Sequence, residues 1–392
     1  MASAFEGVRV LDLTRYQQGP FAGVLLADMG AEVVKVEEPG GEPGRANGLD
    51  SAGFSAYFEA HNRGKRSMVL DLRVAAARDA IRRLVPGFDV VIENFRPSVM
   101  ERWGLGYEDL RGLRADVILA SGSAWGREGP WAQRPGYDHV AQALSGIMVE
   151  QGGGPEHEPH ALIGGFADQI GAMLLAYGVS SALFVRERSG RGQHVDVALI
   201  GAMMALQAMP VTRYLRTDHQ PGFEFRRAAT YTHYRASDGR YVAIAANTQA
   251  MWERCCEAMG HPEWREDPRF AGPFERAQHK LALVEAFERA FLERPSGEWL
   301  ERLTTHDVPN APVLDYAGVA AHEQYWANGY LQEIESPNLG PMRVPGPPVR
   351  MSATPPRIQG AGPELGQDTE AVLLEGGFTW PEIESLRDAG AF

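Results

Sequence analysis

The chain has 392 residues, enough for two domains that each bury a core. It is 44% hydrophobic and 23% charged, ordinary for a soluble globular protein, and carries 38 Lys and Arg against 51 Asp and Glu, a formal charge of −13. That acidic excess excludes a general nucleic-acid or anionic-membrane surface but leaves room for a local basic patch. Cys255 and Cys256 are adjacent and cannot form a disulfide framework, which points to a reducing compartment. Met1 to Gly7 shows no basic segment followed by an apolar one, and the longest uncharged stretch, Gln169 to Val185, is shorter than a membrane span. A cytoplasmic protein with no membrane and no nucleic-acid partner is expected.

In chain order, Val8 to Thr14 alternates and reads as a strand, and Gly19-Pro20 breaks it. Phe21 to Met29 reads as a helix closed by Gly30, and Ala31 to Val36 as a second strand. Arg66 to Leu72 is strand-like, Val74 to Leu84 helical, and Val90 to Glu93 and Val117 to Ser121 are further strands. The pattern continues through a helix beginning near Asp168 and a strand near His194 to Val197, which predicts a parallel sheet covered on both faces. From about residue 225 the texture changes. Tyr231 to Arg235 and Arg240 to Ala245 flank the turn Ser237-Asp238-Gly239, and helical runs follow at 248–259, 276–293 and 297–304. Residues 336–366 are rich in Pro and Gly and read as an extended connector, before helices at Thr369–Leu374 and Trp380–Asp388. The expected organisation is a large α/β domain over 1–200, a linker over 201–225, a small α+β domain over 226–325, a return linker over 326–366, and C-terminal helices over 367–392 that rejoin the large domain.

The first turn, Thr14-Arg15-Tyr16-Gln17-Gln18-Gly19-Pro20, is not the glycine-rich fingerprint of a dinucleotide site, and Glu37 alone does not make one, so no NAD is expected. Glu156-His157-Glu158-Pro159-His160 lacks helical spacing and cysteines, so it reads as a solvated loop, and no metal is expected. Lys65, Arg96 and Arg102 could meet phosphates, and Phe95 or Trp103 could stack on a base or pack on a long apolar arm. Asn94 and Phe95 follow a predicted strand, where open α/β sheets bind ligands. Asp168 heads a helical run behind Gly164, Gly165 and Ala167. A carboxylate there faces free backbone N–H groups, is expected to stay ionised, and could serve as a helix cap or as a nucleophile toward an acyl carbon.

Several segments together resemble the class III CoA-transferases. They are Gly7 to Thr14, Gly19-Pro20, Leu26 to Glu37, Asn62 to Ser67, Glu93-Asn94-Phe95, Gly136-Tyr137-Asp138, Gly190 to Gln193, Val344 to Arg350 and Leu365 to Thr369. The resemblance runs nearly end to end and includes the formyl-CoA transferase, carnitine CoA-transferase and α-methylacyl-CoA racemase branches. It implies a Rossmann-like large domain with a parallel sheet, a small α+β domain, long linkers, and two identical chains interlocked like rings. It implies CoA transfer from an acyl-CoA donor to a carboxylic acid acceptor, with Asp168 as nucleophile and Gln17 as the oxyanion donor. It also implies CoA contacts at Lys65, Asn94, Phe95 and Arg102, and Arg96, Trp103 and Tyr137 are further expected CoA-binding residues. Two departures stand out. Arg226-Arg227-Ala228-Ala229-Thr230-Tyr231 replaces the glycine-rich loop of the oxalate-specific branch, which points to an acceptor larger than oxalate, held by Arg226 or Arg227. Tyr137-Asp138 stands where the racemases carry His-Asp, which leaves an acyl-CoA racemase as the alternative activity.

Overall fold

The computed structural model describes residues 3–51, 53–218 and 228–392. They fall into two compact units, Met1–Pro221 with Gln324–Phe392, and Gly222–Glu323. The first unit is built on six strands: β1 (Arg9–Asp12), β2 (Glu32–Glu37), β3 (Arg66–Val69), β4 (Val90–Glu93), β5 (Ile118–Ser123) and β6 (His194–Ala198). Their order is β3-β2-β1-β4-β5-β6, and every neighbouring pair is parallel. Helices α1 (Gln18–Asp28), α2 (Ala56–Asn62), α3 (Ala75–Leu84), α4 (Val99–Arg102) and α5 (Tyr107–Leu113) lie between the first strands. Then come α6 (Asp138–Leu144), α7 (Ile147–Gly152), α8 (Phe166–Ser189), α9 (Leu199–Leu206) and α10 (Ala208–Thr217).

Both faces of the sheet are buried, and valines, leucines and isoleucines of its strands point to each. Leu11, Val34, Val91 and Leu119 point to one face and pack with Ala77, Ile81 and Leu84 of α3. Val372, Leu373, Ile383 and Leu386 of the C-terminal helices join the same cluster. Val10, Val33, Val90, Ile92 and Ile118 point to the other face, against Ala22 and Leu26 of α1 and Ala172, Leu175 and Val179 of α8. Helix α8 is long and apolar enough to cross a membrane, but its small-residue face lies on this sheet.

The second unit holds β7 (Tyr231–Arg235), β8 (Tyr241–Ala245) and β9 (Asn310–Pro312), antiparallel and in that order. Buried Trp252, Phe287, Phe291 and Trp299 form its core. Three expectations need correction. The helical run at 276–293 is two helices, Pro273–Gln278 and Lys280–Phe291, broken at His279. The stretch expected to be a linker from 201 is helical as far as Thr217. The expected return linker holds a hairpin, β10 (Leu331–Ser336) with β11 (Gly340–Pro345). Pro341 and Pro345 fit because a two-stranded ribbon leaves one side of each strand without a partner.

A buried polar cluster ties the cavity end of the large unit together. Lys65 Nζ donates to Asp12 Oδ2 at 2.8 Å, to the Pro20 carbonyl at 2.8 Å and to Asn62 Oδ1 at 2.9 Å. Asp12 Oδ1 accepts from the backbone N–H of Thr14, and Lys35 Nζ donates to the Thr14 carbonyl at 2.9 Å. Burial alone would raise the Asp12 carboxyl, but Lys65 and Lys35 hold it below its ordinary value. Replacing Lys65 by Met takes away the cation bonded directly to that buried charge, which costs about 3–5 kcal/mol. A urea titration of Lys65→Met is expected to show a large drop in midpoint, while Asp12→Asn with Lys65→Met together recovers part of it.

Candidate active site

Strand order reverses between β1 and β4, so their outgoing loops splay apart and leave a crevice beyond the carboxyl ends. A cavity of about 170 Å³ opens there, lined by Arg15 to Gln18, Asn94 to Pro97, Tyr137 and Asp168 among others. Asn94 fixes one wall: its Nδ2 donates to the Arg15 carbonyl at 2.7 Å and its Oδ1 accepts from the Arg15 N–H at 2.9 Å. The β1–α1 turn does not admit a pyrophosphate the way glycine-rich turns do. A Cβ on Gly19 would stand 2.2 Å from the Thr14 methyl, so that glycine makes room for the chain itself. Glu37 is also occupied, by Arg45 at 2.6 Å and by the Ser67 hydroxyl at 2.7 Å.

Asp168 is not the cap of its helix. Helix α8 begins at Phe166 with Gly165 as N-cap, in the left-handed region at φ 70°. Asp138, the first residue of α6, supplies the cap. Its Oδ1 accepts from the N–H groups of Ala167 at 2.6 Å and Asp168 at 3.3 Å, and its Oδ2 accepts from Gln142 Nε2 at 2.7 Å. The donors expected to hold Asp168 ionised therefore serve another carboxylate. Burial, and then the neighbouring Asp138 charge, push Asp168 up to about 7. Gly165 also shapes the site: a Cβ there would lie 2.2 Å from the Gln17 amide. Gln17 Nε2 donates to the Gly164 carbonyl at 3.1 Å, and its second amide hydrogen meets no other acceptor among the described residues, so it can serve a ligand.

The other expected residues divide. Asn94, Phe95, Arg96 and Tyr137 line the cavity with Asp168 and Gln17. Lys65 does not, because it is buried and its three donors are all taken, so it has none left for CoA. Arg102 is exposed, donates to the Ser98 hydroxyl at 2.7 Å, and does not line the cavity. Trp103 packs edge-to-face on Phe95 at 5.1 Å and lines a neighbouring groove of about 300 Å³, with Arg15, Arg73 and Phe95. Arg226 and Arg227 lie outside the described residues. No sequence motif marks Tyr16 or Tyr57 as a site residue. Tyr16, at φ 65°, sets its ring 5.4 Å from that of Tyr137, edge-to-face. The Tyr57 phenol is raised by burial and then by Asp168.

A family model described as CoA-transferase family III matches residues 5–369. The chain belongs to that family. This CoA-transferase is 32% identical over 375 residues to the succinyl-CoA–D-citramalate CoA-transferase of Chloroflexus aurantiacus, covering 94% of this chain and 93% of that one. It is 35% identical over 387 residues to the acetyl-CoA:oxalate CoA-transferase of Acetobacter aceti, covering 97% of each. Among solved structures it resembles a CAIB/BAIF family protein from Brucella suis, with a TM-score of 0.84 and 32% identity over 96% of this chain and 100% of that one.

A raised carboxyl destabilises the fold once it ionises. The native state keeps its proton longer than the unfolded chain, so stability falls as pH rises from about 4 to about 7. Asp168→Asn removes that penalty. Thermal melts are expected to show the variant more stable than the wild type at pH 8, by roughly 2–4 kcal/mol, with the difference vanishing near pH 4.

Proposed function

We propose that this enzyme moves CoA from an acyl-CoA thioester to a carboxylic acid, with Asp168 carrying the group covalently. The observation that carries this reading is the Asp168 carboxylate on the wall of the switch-point cavity, beside the Gln17 amide. A carboxylate held near neutral pKa is more basic, and so more nucleophilic, than a solvated one. It attacks the donor thioester carbonyl, giving a mixed anhydride and CoA thiolate. The thiolate attacks the aspartyl carbonyl, releasing the donor acid and leaving CoA on Asp168 as a thioester. The acceptor carboxylate then attacks that thioester, and the freed thiolate takes the acceptor acyl group and restores Asp168. Each tetrahedral state places negative charge on oxygen, and the Gln17 amide, which lines the same cavity, would donate to it without neutralising the nucleophile.

CoA would lie along the groove beyond β1 to β3, which shares Arg15 and Phe95 with the cavity, and bring its thioester to Asp168. Arg96 is exposed on the cavity wall, where its guanidinium would meet a phosphate. The acceptor is taken to be a dicarboxylic acid longer than oxalate. Arg134, packed 4.2 Å over the Trp131 ring, also lines the cavity and can grip a distal carboxylate. The racemase alternative is disfavoured by the residue beside Asp138: Tyr137, a poor proton carrier at neutral pH, lines the cavity where the racemases carry a His.

An interlocked homodimer in the cytoplasm completes the reading. The large unit exposes Tyr177 and Phe184 on α8 and Met209 and Leu215 on α10, at 71%, 63%, 73% and 75% exposure, an apolar surface of the kind partner chains cover. Light scattering is expected to give about 86 kDa, twice 43.0 kDa, at nanomolar as at micromolar protein. A stable folded monomer would defeat the ring topology. For the chemistry, acyl-CoA donors are to be paired with oxalate, succinate, glutarate and butyrate, and the CoA esters weighed. Asp168→Ala is expected to lose turnover by several orders of magnitude. Intact-mass spectra should show a CoA adduct on the wild type alone. Transfer by Asp168→Ala at more than a few per cent of wild type would refute the mechanism, and oxalate as the best acceptor would refute the dicarboxylate assignment alone.

A further inference from the structure

Helix α8 brings no side-chain cap of its own, and it begins on a left-handed glycine. Its first turn must therefore be held from outside. Asp138 holds it along the axis through two N–H groups. A second tie reaches it from α2. His61 is buried at 5% exposure and accepts or donates at both ring nitrogens: Nδ1 lies 2.6 Å from the Tyr57 carbonyl and Nε2 lies 3.0 Å from the Gln169 amide nitrogen. A carbonyl only accepts and an amide nitrogen only donates, so Nδ1 carries the proton and Nε2 is bare. Burial lowers the imidazole, in keeping with that neutral form. The same ring packs 4.6 Å from Tyr57, whose phenol feels the Asp168 charge. Gln169 follows Asp168 directly, so a grip on one fixes the rotation of the other about the helix axis.

We infer that His61 is a positioning residue, which aims Asp168 at the substrate carbonyl by holding Gln169 and Tyr57. The inference rests on the covalent role proposed for Asp168. An aspartate that must first attack a carbonyl and then be attacked needs its carboxyl placed to a fraction of an ångström. A misplacement of about 1 Å costs on the order of 100-fold in rate.

The test uses His61→Phe, which keeps ring volume, His61→Gln, which keeps an acceptor for Gln169, and Gln169→Leu, at a half-buried helix position that tolerates an apolar side chain. With an active donor and acceptor pair, His61→Phe and Gln169→Leu are each expected to lower kcat at least about tenfold with KM for acyl-CoA within about twofold. The double variant should be no slower than the slower single, and His61→Gln should recover most of the rate. Two controls guard the underlying reading: wild type must turn over, and Asp168→Ala must form no CoA adduct. If either control fails, the transfer mechanism falls and takes this inference with it. If both hold, and either single variant keeps wild-type kcat or the double variant loses the product of the two effects, His61 does not position the nucleophile.

Discussion

The cavity end of the sheet hangs on one buried carboxylate. Asp12 terminates β1 where the chain must leave the sheet and turn into α1, and it gathers Lys65 and Thr14 around it. Removing an ion from water costs several kcal/mol, and only a fully bonded partner offsets it. Lys65 qualifies because its other two hydrogens reach the Pro20 carbonyl and Asn62, which clamps the start of α1 to the end of α2. Lys35 holds the Thr14 carbonyl from the neighbouring strand. With both sides of the turn tied, Tyr16 is kept at a positive φ and Gln17 is delivered to the glycine notch before α8.

The same end of the molecule contains a conflict between stability and reactivity. Capping α8 with Asp138 satisfies two backbone donors, but it sets a negative charge beside Asp168, which is itself largely withdrawn from water. A fold optimised for stability alone would put an amide or a hydroxyl at either place. Retaining both acids raises the basicity of the one that faces the cavity, and the remainder of the fold absorbs the cost.

Much of the sheet was legible because strands buried on both faces concentrate Val, Ile and Leu, as β4 (Val90–Glu93) shows most plainly, while β1 and β2 keep their valines and leucines between charged residues. The hairpin β7–β8 announced itself through Ser237-Asp238-Gly239. Features that depend on distant partners were not legible. The cap of α8 comes from a residue 30 positions earlier, and the basic, polar segment around Lys65 looked like a phosphate site because nothing local reveals that Asp12, 53 residues away, consumes its charge. Proline-rich composition hid β10 and β11, since a ladder of only two strands forgives prolines that a central strand would not. The grouping of Gln17, Asn94, Phe95, Tyr137 and Asp168 around one cavity follows from the reversal of strand order, which lies in topology and in no local motif.

The docking of the chain end has a consequence for synthesis. Asp368 accepts from the Ser67 N–H across 301 residues, Arg66 pairs with Glu375, and the C-terminal helices complete the apolar layer against α3. A ribosome that has finished β6 has made every strand of the main sheet, yet the face that packs on α3 still lacks the part of its cover that the C-terminal helices supply. That part stays uncovered until Thr369–Asp388 emerges, after the whole of the intervening unit has been translated. At about 5–20 residues per second the wait is on the order of ten seconds or more, during which an apolar sheet surface stands open to other nascent chains. Demand for chaperone shielding during translation is thus written into the order of the polypeptide, and truncating the last helix would make that exposure permanent.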